Sequence, residues 1–206
     1  MSNDPQPPKT AKFSTSLPPR RKTNAEQRAR EYLSASEIDQ LGKTARQNPR
    51  TGQRNETLVL LMFRHALRVA EVIGLRWEQV DLKNALLHVK RVKKGRPATH
   101  PLYGPQLRAL RQLQRDYPDT PYVFTSERKA PLSARSVHDI VFKLGKQAGF
   151  KFPLHPHMLR HSTGFYLANK GKDTRAIQGY MGHANIKNTV IYTELSANRF
   201  NDFWQD

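Results

Sequence analysis

The run from Thr57 to Leu75 reads TLVLLMFRHALRVAEVIGL and is apolar on nearly every side. A surface helix keeps a polar face, whereas one that is hydrophobic all round is buried. The chain must therefore wrap other elements around this segment. A break near His65 to Leu67 divides the run into two consecutive helices, with Arg68 at the start of the second. No stretch reaches the ~18 uninterrupted apolar residues of a membrane span, so no segment is expected to cross a membrane and no membrane partner is expected.

The rest of the chain supplies elements to cover that core. Ser34 or Ser36 can cap a helix reaching about Gln47, with Leu33, Ile38 and Leu41 turned inward. Asn48 to Asn55 is a polar stretch. ALLHVKRV, a turn at Lys94-Gly95-Arg96-Pro97 and ATHPL form a β-hairpin with a basic tip. GPQLRALRQLQRDY is an amphipathic helix, and Tyr122 to Thr125 is a short extended piece. A further helix is capped by Ser133 and ended by Gly149. Pro156 opens a helix that runs to about Lys170. Thr174 to Met181 and a segment from Ile186 follow, separated by Gly182. The expected fold is mainly α with a small β-hairpin, an α+β domain over residues 31–206. Residues 1–30 carry five prolines among polar residues and read as a flexible basic arm.

Lys and Arg outnumber Asp and Glu by 35 to 17, for a net charge of +18 in 206 residues. So basic a chain calls for a polyanion: nucleic acid is the first candidate, a membrane surface or a ribosome the second. The chain has no cysteine, which excludes disulfides, thiolate metal sites and a cysteine nucleophile, and fits a reducing cytoplasm. Arg20, Arg21 and Lys22 on the arm, and Lys90, Arg91 and Arg96 on the hairpin, are candidate phosphate contacts, although a solvated surface would carry the same residues.

The chemistry concentrates between His155 and Tyr192, HPHMLRHSTGFYLANKGKDTRAIQGYMGHANIKNTVIY. His157 and Arg160 are three apart on a helix and share a face. His161 points elsewhere and reads as structural. Gly182-His183 sets another imidazole in a tight turn, ahead of Tyr192. Two arginines, a lysine, two histidines and a tyrosine suit phosphoryl transfer without a metal, because guanidiniums can hold the non-bridging oxygens of a phosphodiester. Each element alone is ordinary: Arg68 could pair with Glu71, and Tyr192 could be core. Their order and spacing carry the argument.

On these residues the chain resembles the tyrosine recombinases, the phage integrase family, and most closely the small Fim-type switch recombinases. The match runs through Arg68 in ALRVAEVIGLRWEQVDL, KKG…THPL, His157 and Arg160 in HPHMLRHS, His183 in YMGH and Tyr192 in TVIYTE. The resemblance implies that Tyr192 attacks the scissile phosphate, leaving a 3′-phosphotyrosine and a free 5′-hydroxyl. Arg68, Arg160 and His183 would bind the phosphate, His157 would be an acid/base, and a hairpin lysine would protonate the leaving oxygen. Spacing to Pro101 favours Lys93 for that role; the Lys-Gly context favours Lys94. The resemblance also implies double-stranded DNA as partner, a dimer at each site, a tetramer in synapsis, DNA-bending accessory proteins, a place beside the nucleoid, and no cofactor. Two departures accompany it. Ala66 stands where the family often has glycine, with slight effect expected. The family's separate N-terminal core-binding domain is missing, and the basic arm stands in its place. Phe200, Phe203 and Trp204 near the C-terminus are either a core staple or a contact with a neighbouring protomer. A DNA-binding protein without turnover and a histidine-metal nuclease are the competing readings.

Overall fold

The computed structural model describes residues 30–92, 95–194 and 196. The expected arm, with Arg20, Arg21 and Lys22, lies outside them except for Arg30, as do Lys93, Lys94 and the three tail aromatics.

Helix α1, Ala35–Arg46, starts from a capping box. Ser34 Oγ accepts from the Glu37 N–H, and Glu37 Oε2 accepts from the Ser34 N–H at 2.7 Å. Such a cap contributes about 1 kcal/mol. Helix α2, Gly52–Arg64, begins inside the stretch that reads as a polar connection. The polar residues mislead because they are buried and mutually satisfied: Arg54 donates twice to Asn55 Oδ1 and once, at 3.0 Å, to the Thr125 carbonyl. Arg68 is the N-cap of α3, Val69–Ile73, so the expected break falls where the apolar run allowed it.

Strands β1 (Val80–Asp81), β2 (Leu86–Val89) and β3 (Ala98–Pro101) form an antiparallel sheet in that order. The hairpin is the β2–β3 pair, with Leu87 opposite His100. Strand β1 is too short for any alternation to announce it. Helices α4 (Gly104–Asp116), α5 (Ala134–Gln147), α6 (Pro156–Asn169), α7 (Thr174–Met181) and α8 (Lys187–Glu194) complete the domain. Gly171 and Gly182, both at positive φ, end α6 and α7 as their sequence positions suggest.

Helix α2 packs against α1, α4 and α6, at the centre of the fold. Its Leu58, Leu61 and Met62 are fully buried, each contributing roughly 1.5–3 kcal/mol. A second apolar cluster joins Ala66 to Ala168, Ile177, Met181 and Tyr192, where α6, α7 and α8 close over the end of α2. Among the described residues no helix is long and apolar enough to cross a membrane.

Candidate active site

A helix ends with backbone carbonyls that have no partner within it, and with the negative end of its dipole. Helix α2 ends this way, and side chains from distant elements collect there. Thr163 Oγ1 donates to the Phe63 carbonyl, and Tyr180 Oη donates to that of Arg64 at 2.7 Å. Arg91 Nη2 donates to the His65 carbonyl at 3.1 Å. The Ala66 carbonyl accepts from both Arg91 Nη1 and Arg160 Nη1. Ala66 has φ 51°, the left-handed conformation that turns this carbonyl row. A glycine would adopt it without the strain an alanine carries. A glycine at position 66 would therefore have a backbone reason, beyond the packing effect expected.

Arg160 also donates through Nη2 to the Met181 carbonyl at 2.7 Å, and only 2% of it is exposed. Burial, then the charges of Arg68 and Arg91, lower its pKa to about 9, so it stays charged near neutrality. Arg68 keeps 24% of its side chain exposed, with Nη1 2.7 Å from Glu71 Oε1. The buried Glu71 carboxylate also accepts from the Arg68 N–H at 3.0 Å and from Arg91 Nη1 at 2.8 Å. Burial alone would raise its pKa, but the Arg68 N–H and the charge of Arg91 bring it below the usual range.

Tyr192 is 1% exposed, and its ring lies against Gly164. A Cβ built there would come within 2.6 Å of the ring, so the missing side chain makes the seat. Phe165 meets the ring edge-on at 5.1 Å between centroids. The hydroxyl is 2.8 Å from His161 Nδ1. Burial raises the phenol pKa to about 12, against the pull of Arg160 and Arg68.

The imidazoles around the phenol are held neutral. Partial burial of the ring, then His161 and Arg160, lower His157 to about 4, although the residue is exposed at the surface, which weakens the effect of burial there. Burial, then Arg160, Arg68 and Arg91, lower His183 to about 4. His183 Nδ1 is 2.8 Å from Thr189 Oγ1; with the threonine as donor, the ring proton sits on Nε2. Burial also lowers His161, partly opposed by Glu31. The His157 and His161 rings meet edge to face at 4.5 Å.

Arg68, Arg160, His183 and Tyr192 are thus gathered near the end of α2, with His157 beside them against the His161 ring. The hollows lined by Arg46 and Arg108, and by Arg54 and Lys143, hold none of them. Two expectations change. His161 does not point elsewhere but is in contact with Tyr192; it is four residues from His157, and the helical spacing that joined His157 to Arg160 would also have placed it on that face. Arg91, a candidate DNA contact, has its guanidinium buried and occupied by Glu71 and three carbonyls, so in this conformation it offers nothing to a phosphate at the surface. The alternation of β2 carried the signal: Leu87 and Val89 face inward, and Arg91 continues that side. Lys90 and Arg96 are exposed, Lys90 beside Glu78 at 3.4 Å.

Comparison with known proteins gives the family and the fold. The family model described as the phage integrase family matches residues 31–199. The type 1 fimbriae regulatory protein FimB of Escherichia coli K12 is 42% identical over 188 residues, covering 89% of this chain and 94% of that protein. FimE of the same strain is 35% identical over 182 residues, covering 85% and 91%. The crystal structure of XerA recombinase superposes with a TM-score of 0.71 at 27% identity, over 84% of this chain and 63% of that one. The chain belongs to the phage integrase family of tyrosine recombinases.

Proposed function

We propose that this chain, a site-specific DNA recombinase, cuts and rejoins duplex DNA through Tyr192, with Arg68, Arg160 and His183 holding the scissile phosphate. The observation that carries this reading is the gathering of two arginines, His183 and Tyr192, from four separate segments, at the end of α2. Arg68, Arg91 and Arg160 set three positive charges against the one carboxylate of Glu71, a surplus of two that suits an anion gaining charge in its transition state.

In the step we assign, Tyr192 Oη gives its proton to a neutral imidazole and bonds to phosphorus. The bond from phosphorus to the 5′ oxygen breaks, and that oxygen takes a proton from Lys93 or Lys94. The product is still a phosphodiester, so a 5′-hydroxyl can reverse the step and rejoin DNA without ATP. A phenol of pKa about 12 ionises at pH 7 only at a cost of about 7 kcal/mol. Proton removal therefore accompanies attack, with a base in reach. His157 is the assigned acid/base, and His161 is the imidazole in contact with the resting phenol. The basic arm and the exposed Lys90 and Arg96 add phosphate contacts. A dimer at each site, a tetramer in synapsis, help from DNA-bending proteins and a place beside the nucleoid belong to the same proposal.

The test is incubation of the purified protein with sheared DNA of its own host in EDTA, followed by denaturation and recovery of covalent adducts. Adducts that require Tyr192 and survive chelation are expected. Their sequenced junctions give the target, and a pair of inverted repeats would point to inversion. Adducts formed equally by Tyr192→Phe would refute the nucleophile. Salt-sensitive binding without adducts would leave a DNA-binding protein without turnover.

A further inference from the structure

Arg91 leaves the end of β2 and runs beneath the site, with 0% of its side chain exposed. Its guanidinium reaches two backbone segments and one carboxylate. Nη1 donates to Glu71 Oε2 at 2.8 Å and to the Ala66 carbonyl at 3.1 Å; Nη2 donates to the His65 carbonyl at 3.1 Å and to the Tyr180 carbonyl at 2.6 Å. Glycines make the passage. A Cβ on Gly182 would lie 2.7 Å from Arg91 Cγ and 2.8 Å from Nε, and one on Gly95 would lie 2.7 Å from Arg91 Cβ.

Each anchor leads to a residue that handles the phosphate in the reading above. Residues 65 and 66 run directly into Arg68, and Ala66 shares its carbonyl with Arg160. Glu71 grips Arg68 with its other oxygen. The segment from Tyr180 to Gly182 includes the Met181 carbonyl that holds Arg160, and it ends at His183. We propose that Arg91 is a positioning residue of strand cleavage: a buried third arginine that sets where Arg68, Arg160 and His183 stand and adds fixed charge beneath the phosphate.

Lysine could not do the same work. Its ammonium is a single point, whereas these four acceptors lie along the two Nη atoms of a planar fork. A surface arginine bound directly to DNA would act differently again, contributing affinity and about one unit of salt dependence.

The inference rests on the recombinase reading, and its test separates the two. The substrate is a nicked duplex carrying the junction recovered from the host DNA. Absence of adduct with the unaltered protein sinks the recombinase reading. Given adduct formation, Arg91→Met should slow single-turnover cleavage at saturating DNA by roughly tenfold or more, with DNA affinity and salt slope unchanged. Arg91→Lys, which keeps the charge and loses the fork, should fall between. On a duplex with an uncharged methylphosphonate at the scissile position, the ratio of unaltered protein to variant should shrink, because less charge needs holding. Equal ratios on the two duplexes would mean that Arg91 only supports the fold. A full cleavage rate at saturation with weakened, less salt-dependent binding would make it a DNA contact. If Arg91→Met loses cooperative unfolding, the same comparisons are made on Arg91→Lys.

Discussion

Replacing Tyr192 by phenylalanine and His161 by alanine, singly and together, reads out their contact before any DNA is present. Phenylalanine keeps the ring against Gly164 and Phe165 and removes only the hydroxyl. The lost hydrogen bond is 2.8 Å long at a phenol 1% exposed, a contribution of about 0.5–1.5 kcal/mol. Alanine at 161 strands the buried hydroxyl, at about 1–3 kcal/mol, and removes the contact with the His157 ring. In the double variant nothing is stranded. Its cost should therefore fall short of the sum by about 1 kcal/mol. In a domain of this size that is a shift of roughly 2–4 °C in midpoint. Denaturant unfolding of the four proteins at pH 7, with equal slopes, gives the coupling. Because burial depresses the His161 pKa, the coupling is complete above the ordinary histidine pKa and is lost only as pH falls through the depressed one. Additivity within about 0.3 kcal/mol would show that phenol and imidazole do not touch in the free protein.

Gly164→Ala should crowd the Tyr192 ring from 2.6 Å, destabilise by about 1–3 kcal/mol and slow adduct formation roughly 10²-fold without weakening DNA binding; an unchanged rate would place the working phenol in another seat. Arg160→Ala should cost about 10²–10³-fold in cleavage, and Arg160→Lys nearly as much, because one ammonium cannot reach both the Ala66 and Met181 carbonyls; a loss under tenfold for alanine would take Arg160 off the phosphate. Burial first, then neighbouring positive charge, lowers His65 to about 3 and His100 to about 4. Their contribution to stability is complete above the unfolded value of about 6.5 and falls by about 1.4 kcal/mol per pH unit for each below it, so a flat stability profile between pH 6 and 4.5 would contradict their burial. Removing residues 1–30 should weaken DNA binding and reduce its salt slope while cooperative unfolding persists; loss of cooperativity would make the arm part of the core.

The parts of the fold legible in the sequence are those fixed by local rules. Thr57 to Leu75 had to be central because it has no polar face, and α2 is central. Ser34, Ser133, Pro156 and Gly182 mark helix ends through capping and φ preferences that act within a few residues. What escaped depends on partners far along the chain. Arg54 and Asn55 look like a loop until Thr125, some seventy residues away, supplies an acceptor. His161 looks idle because Tyr192 reaches it from another helix, and Arg91 looks like surface because its acceptors are carbonyls, which every residue has and no sequence motif displays.

The site is built on an unusual choice of helix end. A phosphate is ordinarily met by a helix N-terminus, where free N–H groups and the positive end of the dipole face it. Helix α2 points its carbonyls at the site, which would repel a phosphate directly. The carbonyls of His65 and Ala66, just past the last turn, instead hold Arg91 and, through Ala66, Arg160, whose charges more than reverse the local sign. Fixing a guanidinium to a helix end costs less at the moment of reaction than ordering a free side chain, because the orientation is settled in folding. The same arrangement explains the residue types. Each Nη of Arg160 gives one N–H to a carbonyl, and the planar fork retains three further donors in fixed directions for a ligand, where an ammonium held by two carbonyls would retain one. On the proposed reading the left-handed backbone at Ala66 serves the site, since relaxing it would rotate the carbonyl that both arginines share.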